Sequence, residues 1–272
     1  MIAAAPAAAP PRPPGFTQVA VGPHGGVLLS GVFPDRSAPQ PLRRGYLYLP
    51  PGLAAGTRYP VVYLLHGMPG DPDEYVDSLR LADVADTLIS GGAVKPFVAV
   101  LPAAGSSPHY DGEWAGPWET YLVDGVVPWV DAHLPTIATA SGRTLAGLSA
   151  GGYGAIDIGL RNPQLFGRLE SWSGYFHPLH DGPFEHADGA TLRANDPVAI
   201  VRGSAALVRA LGIRFFLGTG PSHSHWFKAQ ETLDFASLLQ RLRLPETLRV
   251  LSSAKGQYGL QLDAGLRWAL GS

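Results

Sequence analysis

The sequence predicts an α/β fold, with a mostly parallel central sheet covered by helices on both faces, and three observations predict it. Continuous apolar runs, "YPVVYLLHG" (59–67) and "PFVAVLPAAG" (96–105), have the pattern of strands buried on both sides. Segments of helical period separate such runs, without internal repeats. The chain has 272 residues, 46% of them hydrophobic, which is ample for one large core. Strands that alternate with helices require right-handed crossovers, hence parallel pairing, and chemistry then collects at the carboxyl ends of the strands.

The elements follow in order. Residues 1–15 open with "MIAAAPAAAPPRPP", a low-complexity stretch without an apolar face, expected as a disordered tail. Residues 16–272 are expected to form a single domain. "GVLLSGVF" (26–33) and "RRGYLYLP" (43–50) are early strands, followed by the buried strand at 59–67. A helix is expected over 71–92, ending at Gly91-Gly92, and the next strand over 96–105. "PWETYLVDGVVPWVDAHL" (117–134) is helical with a break or kink at Pro128. "RTLAGLS" (143–149) is a strand running into a helix at 151–163, which Pro163 stops. "FGRLESWSG" (166–174), "IRFFLGTG" (213–220) and "ETLRVLSSA" (246–254) are further strands, with helices at roughly 227–243 and 259–270.

Composition excludes several function classes. The net charge is −2 and no basic stretch exists, so nucleic acid is not an expected partner. No apolar run is long enough to span a bilayer. Without cysteine there are no disulfides, thiolate chemistry or Cys-ligated zinc. The Ala/Pro-rich start is not a signal peptide, but it is similar to the region that follows a cleaved one, with Met1 supplied for expression. That points to an extracellular protein; a cytoplasmic one with a plain disordered start fits the same residues.

Chemistry concentrates at "LAGLSAGG" (145–152). Gly147-Leu148-Ser149-Ala150-Gly151 fits G-x-S-x-G between a strand and a helix, the context of a nucleophile elbow. The serine sits on a sharp turn, where side chains at the flanking glycines would collide with neighbouring elements. The helix start favours developing negative charge, and the Ala150 N–H is one expected oxyanion donor. "LLHGMPG" (64–70), at the end of an earlier buried strand, offers the Met68 N–H as the second.

In these motifs the chain resembles the esterase branch of the α/β-hydrolases, which includes S-formylglutathione hydrolases, feruloyl and acetylxylan esterases and the mycolyltransferase antigens. The resemblance is carried in order by "LYLPPGL", "YPVVYLLHGMPG", "GPWETYLVDGVVPWVDAHLPT", "RTLAGLSAGGYGA" and "NPQLFGRLESWSGYF". "GSSPHYDGEW" (105–114) is similar to a loop of the mycolyltransferases. It covers residues 25–175 well and the rest by strand order. It implies Ser149 as nucleophile, the Met68 and Ala150 amides as oxyanion hole, and no cofactor.

The pattern breaks where the family keeps its acid and histidine. Aligned on Gly256, the histidine position holds Gln257, and no histidine follows His225. The acid loop, "GTGPSHSHWFKAQE" (218–231), holds His223 and His225 instead, with Glu231 its first carboxylate. A neutral amide takes up no proton near neutral pH, so three readings stay open. His223 or His225 serves as base; His177 or His180 in "SGYFHPLHDG" does; or the triad is lost and the protein binds without turnover. His66 is expected only to shape the oxyanion loop, and His133 and His186 to lie at the surface. A metal at the H-x-H of His223 and His225 lacks nearby acidic partners.

Tyr110, Asp111 and Trp114, with Glu113 and Trp118, crowd one loop above the sheet and suit sugar or aryl-ester recognition, with Tyr110 and Trp114 better placed than Trp118. His177 is a further candidate contact. The expected function is serine-dependent ester hydrolysis or acyl transfer on a small-molecule ester or acylated sugar. The alternative is a non-catalytic carbohydrate- or protein-binding member on the same scaffold. The sequence leaves the oligomeric state open.

Overall fold

The structure is a computed structural model that describes residues 13–35, 38–54, 56–105, 113–221, 229–253 and 256–271. Nine strands form one sheet: β1 (Phe16–Val21), β2 (Val27–Gly31), β3 (Gly45–Leu49), β4 (Val61–Leu65), β5 (Val98–Leu101), β6 (Arg143–Leu148), β7 (Arg168–Trp172), β8 (Arg214–Thr219) and β9 (Glu246–Val250). Their spatial order is β1-β2-β3-β5-β4-β6-β7-β8-β9. The strands β1, β2, β3 and β5 pair antiparallel; from β5 onward every neighbour is parallel. This is the expected α/β architecture.

Alternation within the central strands divides the core in two. Tyr63 and Leu65 of β4 and Leu145 of β6 face α4 (Ala150–Arg161), α6 (Pro197–Ala210) and α7 (Ala229–Arg241). Val62, Leu64, Ala146 and Leu148 face α1 (Leu81–Ser90) and α8 (Gln257–Leu270). The central strands are buried on both sides, as their unbroken apolar runs require. Between β4 and its two neighbours the chain winds first one way, to β5, and then the other, to β6. That switch opens a crevice at the carboxyl ends of β4 and β6.

Several elements differ from the sequence expectation. The helix expected over 71–92 is two pieces, a π-helical turn at Glu74–Ser78 and then α1, separated by Arg80 at φ 50°. The break expected at Pro128 is absent. Helical backbone runs from α2 (Pro117–Thr120) through a π-helical stretch (Tyr121–Val126) into α3 (Val127–His133). Pro128 falls in the first turn after the wider π segment, where its missing N–H costs little. Strand β1 and the helices α5 (Gly189–Ala194) and α6 were not foreseen. Both helices carry side-chain caps, Asp188 to the Thr191 N–H and Asp196 to the Ala199 N–H, and Pro197 opens α6. Among the described residues, no helix is long and apolar enough to cross a membrane.

Candidate active site

Ser149 lies between β6 and α4 with φ 55° and ψ −122°, a conformation that side-chain-bearing residues rarely adopt. Packing enforces it. A Cβ on Gly147 would overlap the Gly151 carbonyl, and one on Gly151 would overlap the Leu65 carbonyl oxygen and lie 2.7 Å from that of His66. The Ser149 N–H is bonded to the Trp172 carbonyl at 3.0 Å, which ties the elbow to the end of β7. Its own carbonyl accepts the N–H groups of Gly152 and Tyr153. Ala150 is the first residue of α4, so its N–H has no carbonyl of the helix to bond.

The loop after β4 lies directly beside it, because Leu65 pairs with Gly147 across the sheet. A Cβ on Gly67 would stand 3.3 Å from Ser149 Cβ and 3.6 Å from Oγ. Met68, half-buried, packs with Ala150 in a small apolar cluster that also holds Ala115, Tyr153, Tyr175 and Phe184. The crevice thus brings together Ser149, Met68 and Ala150.

His66 is fully buried and shapes this loop. Its Nδ1–H donates to the Gly67 carbonyl at 2.8 Å, and Nε2 accepts the Ala104 N–H at 3.1 Å. Burial, with the nearby Arg43 charge, lowers its pKa to about 4, so it stays neutral and in one tautomer. Trp114 Nε1 donates to the His66 carbonyl at 2.9 Å, and its ring meets the imidazole edge-on at 5.1 Å. Trp114 was expected to line the pocket. It is instead fully buried and braces the loop from behind, because an indole N–H in the core needs an acceptor and His66 supplies it. Trp118 is buried as well.

His177 lies five residues past the end of β7. It is exposed, and its Nδ1 stands 2.9 Å from Asp196 Oδ2. The cavity beside it, about 170 Å³, is lined by Phe176 and by residues of α6 and α7, Glu231 among them. Ser149, Met68 and Ala150 are not part of that lining. His133, His180 and His186 are exposed. Tyr110, Asp111, His223 and His225 lie outside the described residues. Among the described residues, no cluster of His, Asp and Glu has the form of a metal site.

Gln257 is the first residue of α8. Its Oε1 is buried without a hydrogen-bond partner, and it lies against Gly220, just past the carboxyl end of β8. Four residues on, Gln261 is fully buried and donates to Ser173 Oγ at 2.9 Å. Ser173 has φ 50°, and its N–H bonds the Gly218 carbonyl, so this pair stitches α8 to the ends of β7 and β8. Neither Ser173 nor Gln261 had a sequence signal.

The family model described as "Putative esterase" matches residues 38–259. The chain belongs to this esterase family. It is 34% identical over 126 residues to an esterase of Mycobacterium tuberculosis, a match covering 44% of this chain and 26% of that protein. The chain therefore spans about a quarter of that relative's length. Among solved structures, a ferulic acid esterase superposes with a TM-score of 0.78 at 21% identity, over 90% of this chain and 98% of the other. An S-formylglutathione hydrolase from Agrobacterium tumefaciens superposes with a TM-score of 0.72 at 18% identity, over 94% and 98%. At such identities these likenesses establish the α/β-hydrolase fold.

Proposed function

We propose that this esterase-family chain cleaves carboxylic esters, or transfers their acyl group, with Ser149 as nucleophile. One observation carries the reading: a serine held at positive φ at the head of α4, with Gly67 of the neighbouring loop against its side chain. Ser149 Oγ attacks the acyl carbon, and the N–H groups of Ala150 and Met68 take the charge that develops on the carbonyl oxygen. An imidazole accepts the Oγ proton and returns it to the departing alcohol. Water or an acceptor alcohol then repeats the sequence on the acyl-serine.

We assign the imidazole to His223 or His225, on the segment between β8 and α7. The buried, unpartnered Oε1 of Gln257 beside Gly220 supports this assignment. An unsatisfied buried acceptor costs about 1–3 kcal/mol, and an imidazole N–H would satisfy it and fix the tautomer. His177, held by Asp196 over a cavity of its own, is set aside. The substrate class is a small-molecule ester or acylated sugar, met by Tyr110 and Asp111. An extracellular location belongs to the same reading.

One observation favours a non-catalytic binding protein instead, the amide at Gln257 where the family keeps its histidine. Ser149→Ala separates the two. The esterase reading expects the parent to turn over short aryl esters and take a fluorophosphonate label, and the variant to lose both. A parent at background for every acyl chain moves the assignment to binding.

A further inference from the structure

The loop that carries the Met68 amide is anchored at both ends. At the near end, His66, Ala104 and Trp114 fix the backbone of His66 and Gly67. At the far end stands Arg43, two residues before β3. Its guanidinium donates to the Gly70 carbonyl at 3.1 Å and to Asp71 Oδ2 at 2.6 Å. Its side chain is largely buried, 19% exposed. Between the anchors the turn folds tightly back, since a Cβ on Gly70 would lie 2.7 Å from the Gly67 carbonyl oxygen. The Met68 N–H shares a peptide plane with the Gly67 carbonyl, which the His66 imidazole holds at the near end, while Arg43 holds the return of the turn at Gly70.

We propose that Arg43 is a positioning residue for the oxyanion donor at Met68, an inference that rests on the Ser149 reading. An oxyanion donor is useful to the extent that it is aimed before the charge forms. The two-point grip of Arg43, one arm on a carbonyl of the turn and one on the adjacent carboxylate, holds that aim. Asp71 in turn caps the Asp73 N–H at 3.0 Å, and Tyr46 donates to Asp73 Oδ1 at 2.5 Å, so the grip is tied to β3. Arg44, the next residue, offers a control. It is 58% exposed, reaches Asp73 at 3.4 Å and lies over the Tyr46 ring, and among the described residues its partners do not include the turn at Gly70 or Asp71.

The test uses the full chain and 4-nitrophenyl acetate, with an alkyl boronic acid as probe of the tetrahedral state. Small misplacement of a catalytic group costs up to about 100-fold. Arg43→Ala is expected to lower kcat about 10- to 100-fold with KM within about twofold, and to weaken boronate binding by a similar factor. Arg43→Lys, which keeps the charge but not the fork, is expected in between. Arg44→Ala, which removes the same charge, is expected to match the parent. A merely structural role would lower the melting temperature of Arg43→Ala and leave boronate affinity unchanged, and that result overturns the proposal. If Arg43→Ala does not fold, Asp71→Asn carries the test: it loosens one arm, and parental kcat and boronate affinity in it overturn the proposal. Ser149-dependent turnover of the parent is measured first. Its absence overturns the esterase reading and this proposal together, whereas turnover untouched by Arg43→Ala overturns this proposal alone.

Discussion

Gly151 lies against Leu65 so closely that a Cβ on it would overlap the Leu65 carbonyl oxygen. The elbow's backbone and the last residue of β4 are therefore in contact, and that contact presses the proposed oxyanion loop onto the serine. Gly151→Ala should force the two apart. Overpacking of this kind costs about 1–3 kcal/mol, and the shift of Ser149 should remove most ester turnover. Gly203→Ala is the contrast: on α6, with open space around it, it should be neutral or stabilise by up to about 1 kcal/mol. Melting temperatures and 4-nitrophenyl acetate rates of the two variants check this. An active, stable Gly151→Ala would show that the elbow yields.

Asp86 of α1 is fully buried, and its carboxylate accepts the N–H groups of His24 and Gly26 and the Tyr48 hydroxyl. Three donors from the β1–β2 turn and β3 thus converge on one side chain. Asp86→Ala leaves the Gly26 N–H and the Tyr48 hydroxyl buried and unpaired, which should cost about 2–4 kcal/mol at about 1–3 kcal/mol per unsatisfied group. Urea unfolding measures it. The protein that remains folded should keep its kcat, because this site lies away from the elbow.

Glu170 of β7 is buried under α8, close to Gly265, and accepts the Trp172 indole N–H at 3.0 Å. Burial pushes its pKa up from 4.5 to about 8, although Trp172 and Arg168 pull the other way. Between those values the folded chain holds a proton that the unfolded chain has lost, so stability falls as pH rises from about 4.5 to about 8 and then levels. Asp157, raised to about 8 mainly by burial, adds a slope of the same sign. Glu170→Gln keeps the acceptor for Trp172 and removes the ionisation. Its gain in melting temperature over the parent should grow from pH 5 to pH 9. A gain that is the same at every pH would rule out Glu170 as a source of the slope.

With His223 or His225 as base, one of the two alanine variants should lose about two orders of magnitude or more in kcat, as general-base contributions of roughly 10²–10⁴ imply. The other should change little. Full rate in both would rule out either histidine as the base.

The strands were legible because the middle of the sheet is buried on both faces, so β4, β5 and β8 write themselves as largely apolar runs. Strand β1 was not, since only Phe16 of its six side chains is buried and an edge strand needs no apolar pattern. Helix α6 was hidden for a similar reason, with three buried residues in fourteen, although its Asp-Pro start was a usable signal. Ser149 and the loop after β4 could be placed from glycine spacing, because close backbone approach there forbids side chains. The reversal of Trp114 had no such signal. An aromatic near a carboxylate suits a pocket and a core equally, and the partner that decides, the His66 carbonyl, is 48 residues away.

Gln257 separates a rewired enzyme from a retired one. Its Oε1, buried and unpartnered beside Gly220, is the acceptor we assign to the relocated imidazole. Gln257→Leu removes that acceptor at similar volume, so a rewired enzyme should lose about tenfold in kcat as the imidazole loses its tautomer and aim, with KM little changed. Gln257→His places a new base at the start of α8 without an acid to orient it. In a rewired enzyme it competes with the working imidazole, and the rate should be equal or lower. In a retired enzyme the parent starts at background, Gln257→Leu changes nothing, and Gln257→His raises turnover modestly. Aryl-ester rates for the parent and both variants, measured together across pH 5–9, distinguish these patterns. We expect the first, because the strained serine at the head of α4 and the closely packed loop beside it are the parts of such a site that are hardest to keep without use.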